Sequence, residues 1–151
     1  MLDSDLLSPA RILTDVSINS KKRLLELISL TLANKNKDLN SREIFESLCA
    51  REQLGSTTLG GGVAIPHGRI NGTEGAEAIF LRLTNPLPLD AADGEPVDLV
   101  FALIVPKKCT DDHSKLLSGI AERFSDTRLL GQLREAEDAN EIWQLLSNSH
   151  Q

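Results

Sequence analysis

His67 lies between Pro66 and Gly68, near the end of a run from Arg51 to Arg69 that reads Arg-Glu-Gln-Leu-Gly-Ser-Thr-Thr-Leu-Gly-Gly-Gly-Val-Ala-Ile-Pro-His-Gly-Arg. A neutral imidazole is a nucleophile at neutral pH, because a pKa of roughly 6.5 leaves one ring nitrogen unprotonated. The surrounding residue types suit a phosphoryl group as the electrophile. That group spreads charge over three equatorial oxygens, so its pocket needs donors and cations already in place. Gly60, Gly61 and Gly62 can present backbone N–H groups without side chains in the way. Ser56 and Thr57 add hydroxyl donors, and Arg51 and Arg69 bring positive charge. The second ring nitrogen should donate to a fixed acceptor that selects the tautomer. Gly68 and Gly72 let the backbone after His67 approach closely, so a carbonyl there is the expected partner.

A second histidine strengthens this reading. His113 follows Asp111-Asp112 at the expected start of a helix, where unpaired N–H groups favour an anion. An imidazole there can donate to a phosphoryl oxygen. Each feature also has a plainer reading. A Gly-Gly-Gly run alone is a flexible loop, a lone His113 is a solvated helix-start residue, and Arg69 is a surface cation. Asp111 and Asp112 serve better as caps than as metal ligands, and His150 belongs to the tail. The plain readings weaken once His67 and His113 are taken together.

Rival motifs fail on detail. A P-loop closes on Gly-Lys-Ser/Thr, but Gly62 is followed by Val63 and Ala64. A dinucleotide fingerprint opens a helix, whereas these glycines lead into Val-Ala-Ile-Pro. No Gly-x-Ser-x-Gly marks a serine hydrolase. Zinc would want three or four ligands at local spacing, and the two histidines supply only two. No metal and no cofactor is expected.

The elements that must position these residues can be read in outline. Leu24, Leu27, Ile28 and Leu32 have helical spacing within 20–34, with Asn19 or Ser20 as cap. Asn40 followed by Glu43 has capping-box spacing before a second helix that Gly55 is placed to end. A short strand is possible between Asp15 and Ile18. Val63 to Ile65 reads as a strand halted by Pro66. Residues 76–83 alternate as a strand that Pro86 and Pro88 break, and Asp93-Gly94 marks a turn. Val97 to Val105 is nearly unbroken apolar sequence, the pattern of a strand buried on both faces. Three helices follow, capped by Asp111 or Asp112, by Ser125 or Asp126, and by Asp138. Phe124 and Trp143 fall on their apolar faces. The economical packing is one α/β domain spanning 1–151, with a mixed sheet between helical layers.

Composition agrees with a single globular domain. The 151 residues are 40% hydrophobic and 25% charged, enough to bury a core without staples. A net charge of -6 argues against nucleic acid and against an anionic membrane surface, and leaves a basic protein as the more natural partner. Cys49 and Cys109 lack Cys-x-x-Cys spacing and read as reduced thiols of a cytoplasmic protein. The acidic amino terminus has no signal-peptide pattern, and no apolar run approaches the roughly 20 residues of a membrane span.

The motif from Arg51 to Gly68, Arg-Glu-x-x-Gly-Ser-Thr followed by Gly-x-Gly-Val-Ala-Ile-Pro-His-Gly, closely resembles the signature of enzyme IIA of the fructose/mannitol class (EIIA type 2). That is a component of the bacterial phosphoenolpyruvate-dependent phosphotransferase system. The similarity extends to Pro96 through Leu103 and to His113 with Leu116, Leu117, Ile120 and Ala121, and it covers a core from about 8 to 146. It implies an α/β fold in which His67 takes the phosphoryl group on Nε2, Arg51 and His113 assist, and no metal takes part. Where the family commonly reads Ser-Thr-Gly this chain has Ser56-Thr57-Thr58, so that position should not require a positive φ.

Within the family, a single domain with Ser20-Lys-Lys-Arg23 before the first helix resembles the nitrogen-regulatory type. The resemblance implies a phosphoryl carrier with a mainly regulatory role. Its partners would be an HPr-like phosphocarrier and regulatory targets such as potassium transporters or sensor kinases. The alternative is a sugar-transport IIA that passes phosphate to a IIB partner.

Overall fold

The computed structural model describes residues 6–73, 75–108 and 111–147, without the side chains of 111–113. Cys109, His150 and the side chains of Asp111, Asp112 and His113 therefore lie outside the described residues. The chain opens with β1 (Ile12–Val16), α1 (Lys21–Lys35) and α2 (Ser41–Gln53). Three short strands follow, β2 (Thr58–Gly60), β3 (Val63–Ala64) and β4 (His67–Ile70), then the long pair β5 (Glu77–Leu87) and β6 (Val97–Pro106). The helices α3 (Asp111–Arg123), α4 (Thr127–Glu135) and α5 (Ala139–Ser147) complete it.

The sheet runs β1-β5-β6-β3-β2, with β4 continuing the line of β3 along the same side of β6. β1 and β5 are parallel, β5 and β6 antiparallel, and β3 and β4 both parallel to β6, so the sheet is mixed. β6 alternates as expected for burial on both faces. Leu99, Phe101, Leu103 and Val105 join Phe80, Phe124, Leu130 and Ile142 beneath α3, α4 and α5. Val100, Ala102 and Ile104 join Ile79, Leu81, Ile28 and Ile44 beneath α1 and α2. The result is the three-layer α/β/α domain that the patterning implied. Trp143 packs half-buried against the first cluster, and the Phe124 ring sits 5.3 Å from that of Phe101.

Local signals account for the helix starts. Ser20 accepts from Arg23 N–H at 3.1 Å, Asn40 from Glu43 N–H at 3.0 Å, and Asp126 from Arg128 and Leu129 N–H. Glu43 departs from a reciprocal box by sending its carboxylate to Asn71 N–H at 3.1 Å. Other boundaries differ from those expected. β1 covers 12–16 rather than 15–18, with Asp15 in a left-handed conformation at φ 57. β5 does not break at Pro86 but runs through it to Leu87. The register shifts between Arg82 and Leu87, where a proline without an N–H is tolerated. Thr58 takes its place in β2 without a positive φ.

α2 lies against the outer edge of β4, and the contact is tight. A Cβ on Gly68 would stand 2.5 Å from Ser47 Oγ and 3.0 Å from Ser47 Cβ, so only glycine fits there. Ser47 Oγ accepts from Arg69 N–H at 2.8 Å and donates to Arg69 C=O at 2.9 Å. Together with Glu43 on Asn71 N–H, these bonds hold the outward backbone groups at the C-terminal end of β4.

Candidate functional site

Pro66 ends the strand pairing of β3, and the chain resumes as β4 with His67 opposite Leu103. The restart bends the backbone so that Ile65 C=O faces the ring it precedes. His67 Nδ1 lies 2.9 Å from that oxygen. The other ring nitrogen, Nε2, lies 3.2 Å from Arg51 Nε. A guanidinium only donates, so Nε2 must be the unprotonated nitrogen and Nδ1–H the donor to Ile65. The fixed carbonyl is therefore two residues before the histidine, not after it as Gly68 and Gly72 suggested. Gly68 instead serves the close approach of α2.

The electrostatics keep the ring neutral. Burial is the main cause that pushes the His67 pKa below the ordinary histidine value, and the Arg51 and Arg69 cations push the same way. The Ile65 hydrogen bond and the Glu52 carboxylate act in the opposite sense and are outweighed. A neutral imidazole with its free lone pair on Nε2 is the form a nucleophile needs.

Arg51 reaches this position from the last turn of α2. Its Nη1 donates to Gly55 C=O at 3.1 Å, just past the helix end, where Gly55 has φ 147. This second anchor holds the guanidinium over the imidazole. Both groups open onto a cleft of about 480 Å3, whose other walls include Leu54, Arg69, Ser114 and Leu117. Leu54 is 83% exposed, which is unusual for so large an apolar side chain. Ser114 and Leu117 bring α3 to the cleft, immediately after His113 in sequence, whose own side chain lies outside the described residues.

The remaining phosphate-binding candidates are placed elsewhere. Gly61 and Gly62 form the turn from β2 to β3, with φ values of 67 and 84. Val63 pairs with Leu99 and His67 with Leu103, so four residues of β6, roughly 13 Å, separate that turn from the imidazole. Gly61 N–H donates to Asp93 Oδ2 at 2.9 Å, while Gly62 C=O accepts from Asp98 and Leu99 N–H. The glycine run thus holds a carboxylate of its own chain. Ser56 Oγ donates to Leu89 C=O at 3.1 Å and lies 2.9 Å from Thr58 Oγ1. Thr57 Oγ1 donates to Glu52 Oε2. These two hydroxyls hold the loop together and are not turned toward the cleft partners of His67.

Sequence reasoning missed three contributors, namely the Ile65 carbonyl, Ser47 and Glu52. Only Glu52 carried a signal, as an acidic residue directly after the site arginine. The other two act through a backbone oxygen and a mid-helix hydroxyl, which no motif announces.

Comparison with known proteins places this geometry in a family. The chain is 41% identical over 141 residues to the nitrogen regulatory protein of Pseudomonas aeruginosa, covering 93% of this chain and 92% of that one. It is 42% identical to that of Escherichia coli over 135 residues, or 89% and 82% of the two chains. The crystal structure of the nitrogen regulatory protein IIA-Ntr from Neisseria meningitidis superposes with a TM-score of 0.88 at 42% identity, covering 94% of this chain and 97% of that one. The IIA mannitol structure from Escherichia coli shares the fold, with a TM-score of 0.76 at 16% identity over 93% and 98% of the chains. Among the described residues no helix is long and apolar enough to cross a membrane. Residues 5–149 match the family profile described as the phosphoenolpyruvate-dependent sugar phosphotransferase system, EIIA 2, and the chain belongs to that family.

Proposed function

We propose that the chain is a phosphoryl carrier of the nitrogen-regulatory branch, loaded on His67 Nε2 by an HPr-like phosphocarrier, and that its phosphorylation state governs binding to regulatory targets. The observation that carries this reading is the pair of bonds on His67, which leave an unprotonated Nε2 at the mouth of a cleft flanked by Arg51 and Arg69. The relatives named as nitrogen regulatory proteins favour this branch.

Transfer is in line. The Nε2 lone pair attacks phosphorus while the bond to the carrier's imidazole breaks and its electron pair returns to that ring. Nδ1 keeps its proton throughout, held on Ile65 C=O. Arg51 leaves Nε2 and turns to the equatorial oxygens, with His113 as the second donor. The added charge, about -1.5 to -2, is enough to switch an interface by repulsion or new pairing.

The test is intact-mass spectrometry after incubation with phosphoenolpyruvate, the nitrogen-type phosphotransferase and its carrier. One acid-labile phosphate is expected on the native protein and none on His67→Gln. Full labelling of His67→Gln would overturn the assignment of the acceptor. Faster loading by a sugar-type carrier, with onward transfer to a IIB protein, would move the chain to the transport branch.

A further inference from the structure

Two consecutive residues at the end of α2 bear on the His67 ring, one directly and one through intermediates. Arg51 meets Nε2 directly. Glu52 points the other way, into the protein, with its side chain only 8% exposed. One carboxylate oxygen, Oε2, accepts from Thr57 Oγ1, and the other pairs with Lys21 Nζ at 3.2 Å. Thr57 is itself 8% exposed, and its backbone C=O accepts from Ile65 N–H at 3.0 Å. The carbonyl of that same Ile65 receives His67 Nδ1–H. Three hydrogen bonds, joined through the covalent frames of Thr57 and Ile65, therefore link Glu52 to the imidazole.

We propose that Glu52 is a positioning residue for His67, anchoring through Thr57 the backbone at Ile65, whose carbonyl, one peptide unit on, selects the Nδ1–H tautomer. The segment 54–57 crosses between α2 and the sheet without regular pairing, so Ile65 would otherwise face a loop free to shift. A buried carboxylate that is also held by a lysine at the start of α1 ties that loop to two helices at once. Charge-assisted hydrogen bonds of this kind are the stronger ones, so an amide at position 52 weakens the bond to Thr57 and gives up the Lys21 ion pair, while Thr57→Val removes the bond outright. The alternative tautomer would put a proton on Nε2, against Arg51 Nε–H, and remove the nucleophilic lone pair.

The inference rests on His67 being the phosphoryl acceptor for its relevance to transfer, but not for its test on the ring. Protein labelled with 15N-histidine is examined at pH 8, where the ring is neutral, by two-bond proton–nitrogen correlation. The native chain is expected to show the Nδ1–H form, with Glu52→Gln and Thr57→Val raising the Nε2–H form about fivefold relative to it. Phosphoryl loading of both variants should slow by about tenfold. Thr57→Ser retains the hydroxyl and should restore both readouts. A folded Thr57→Val protein, judged by its amide spectrum, provides the test should Glu52→Gln not fold. An unchanged tautomer ratio in that protein, whatever its loading rate, would overturn the proposal. A shifted ratio in a chain whose native form never loads phosphate would leave the positioning role standing and remove the phosphoryl reading instead.

Discussion

Arg51 Nε stands 3.2 Å from His67 Nε2, so the guanidinium donates into the lone pair from which a bond to phosphorus would form. In the resting protein the arginine shields the nucleophile from protons, because a ring protonated at Nε2 would set N–H against N–H. In the transfer proposed above, the same cation would exchange nitrogen for phosphoryl oxygen while Nη1 keeps its hold on Gly55 C=O.

Arg51→Ala is expected to slow phosphoryl loading by about 100-fold, the usual scale for losing one preorganised donor to developing charge. The His67 pKa should rise at the same time, since a neighbouring cation that disfavours the imidazolium is gone. Single-turnover loading and an imidazole titration by NMR check the two arms. Arg51→Lys should keep the pKa effect better than the rate, because an ammonium cannot hold Gly55 C=O and the ring together with one planar fork.

His67 itself should titrate below pH 6.5. A ring whose folded pKa is depressed binds fewer protons native than unfolded across that window. Its contribution to stability is therefore complete above the unfolded pKa and is lost as pH falls through the folded one. Denaturant midpoints measured from pH 7.5 to 5 should fall more for the native protein than for His67→Gln. Parallel curves would show that the ring is not depressed.

Gly68→Ala tests the seat of β4 on α2. The new methyl meets Ser47 Oγ, which can rotate away only by giving up its Arg69 bonds, and Ser47 Cβ and Leu48 N, which cannot retreat without moving the helix. A loss of about 1–3 kcal/mol is expected in chemical unfolding. Adding Ser47→Ala removes the nearest of those atoms, so the double variant should lose less than the sum of the two single changes.

Asp93→Ala separates the glycine turn from the histidine. It removes the acceptor of Gly61 N–H and should speed hydrogen exchange at that amide. The loading rate should not change, because the turn lies at the far end of β3. A slowed rate would return Gly61 to the phosphate site.

Much of this was legible in the chain because the informative residues act over short distances. Ser20, Asn40 and Asp126 each bond to a backbone amide two or three positions on, and the double burial of β6 is written in its own ten residues. The meeting of Arg51 with His67 was legible for a similar reason, since the helix end and the Pro66-His67-Gly68 turn lie only 16 positions apart. What failed depended on direction. The three glycines look like an anion cradle in sequence, yet whether they cradle a ligand or Asp93 depends on which end of β3 they occupy. The Ile65 oxygen was missed because a backbone carbonyl has no letter of its own. Pro86 was read as a stop because the register shift that accommodates it exists only once β6 lies alongside.

The closed edge of β4 has a consequence for how this protein is read by others. Strand addition is the recognition mode that needs least from side chains, and it is blocked along β4, because α2 packs on its outer edge at Gly68 while Ser47 and Glu43 hold the Arg69 backbone and the Asn71 amide. A visitor to the histidine must therefore be chosen by shape and charge at the cleft mouth, by Leu54, Arg69 and the residues of α3. Those are properties that can differ between two carriers of the same general build, or between a loaded and an unloaded surface, whereas backbone pairing cannot. Sealing one strand thus makes the encounter discriminating.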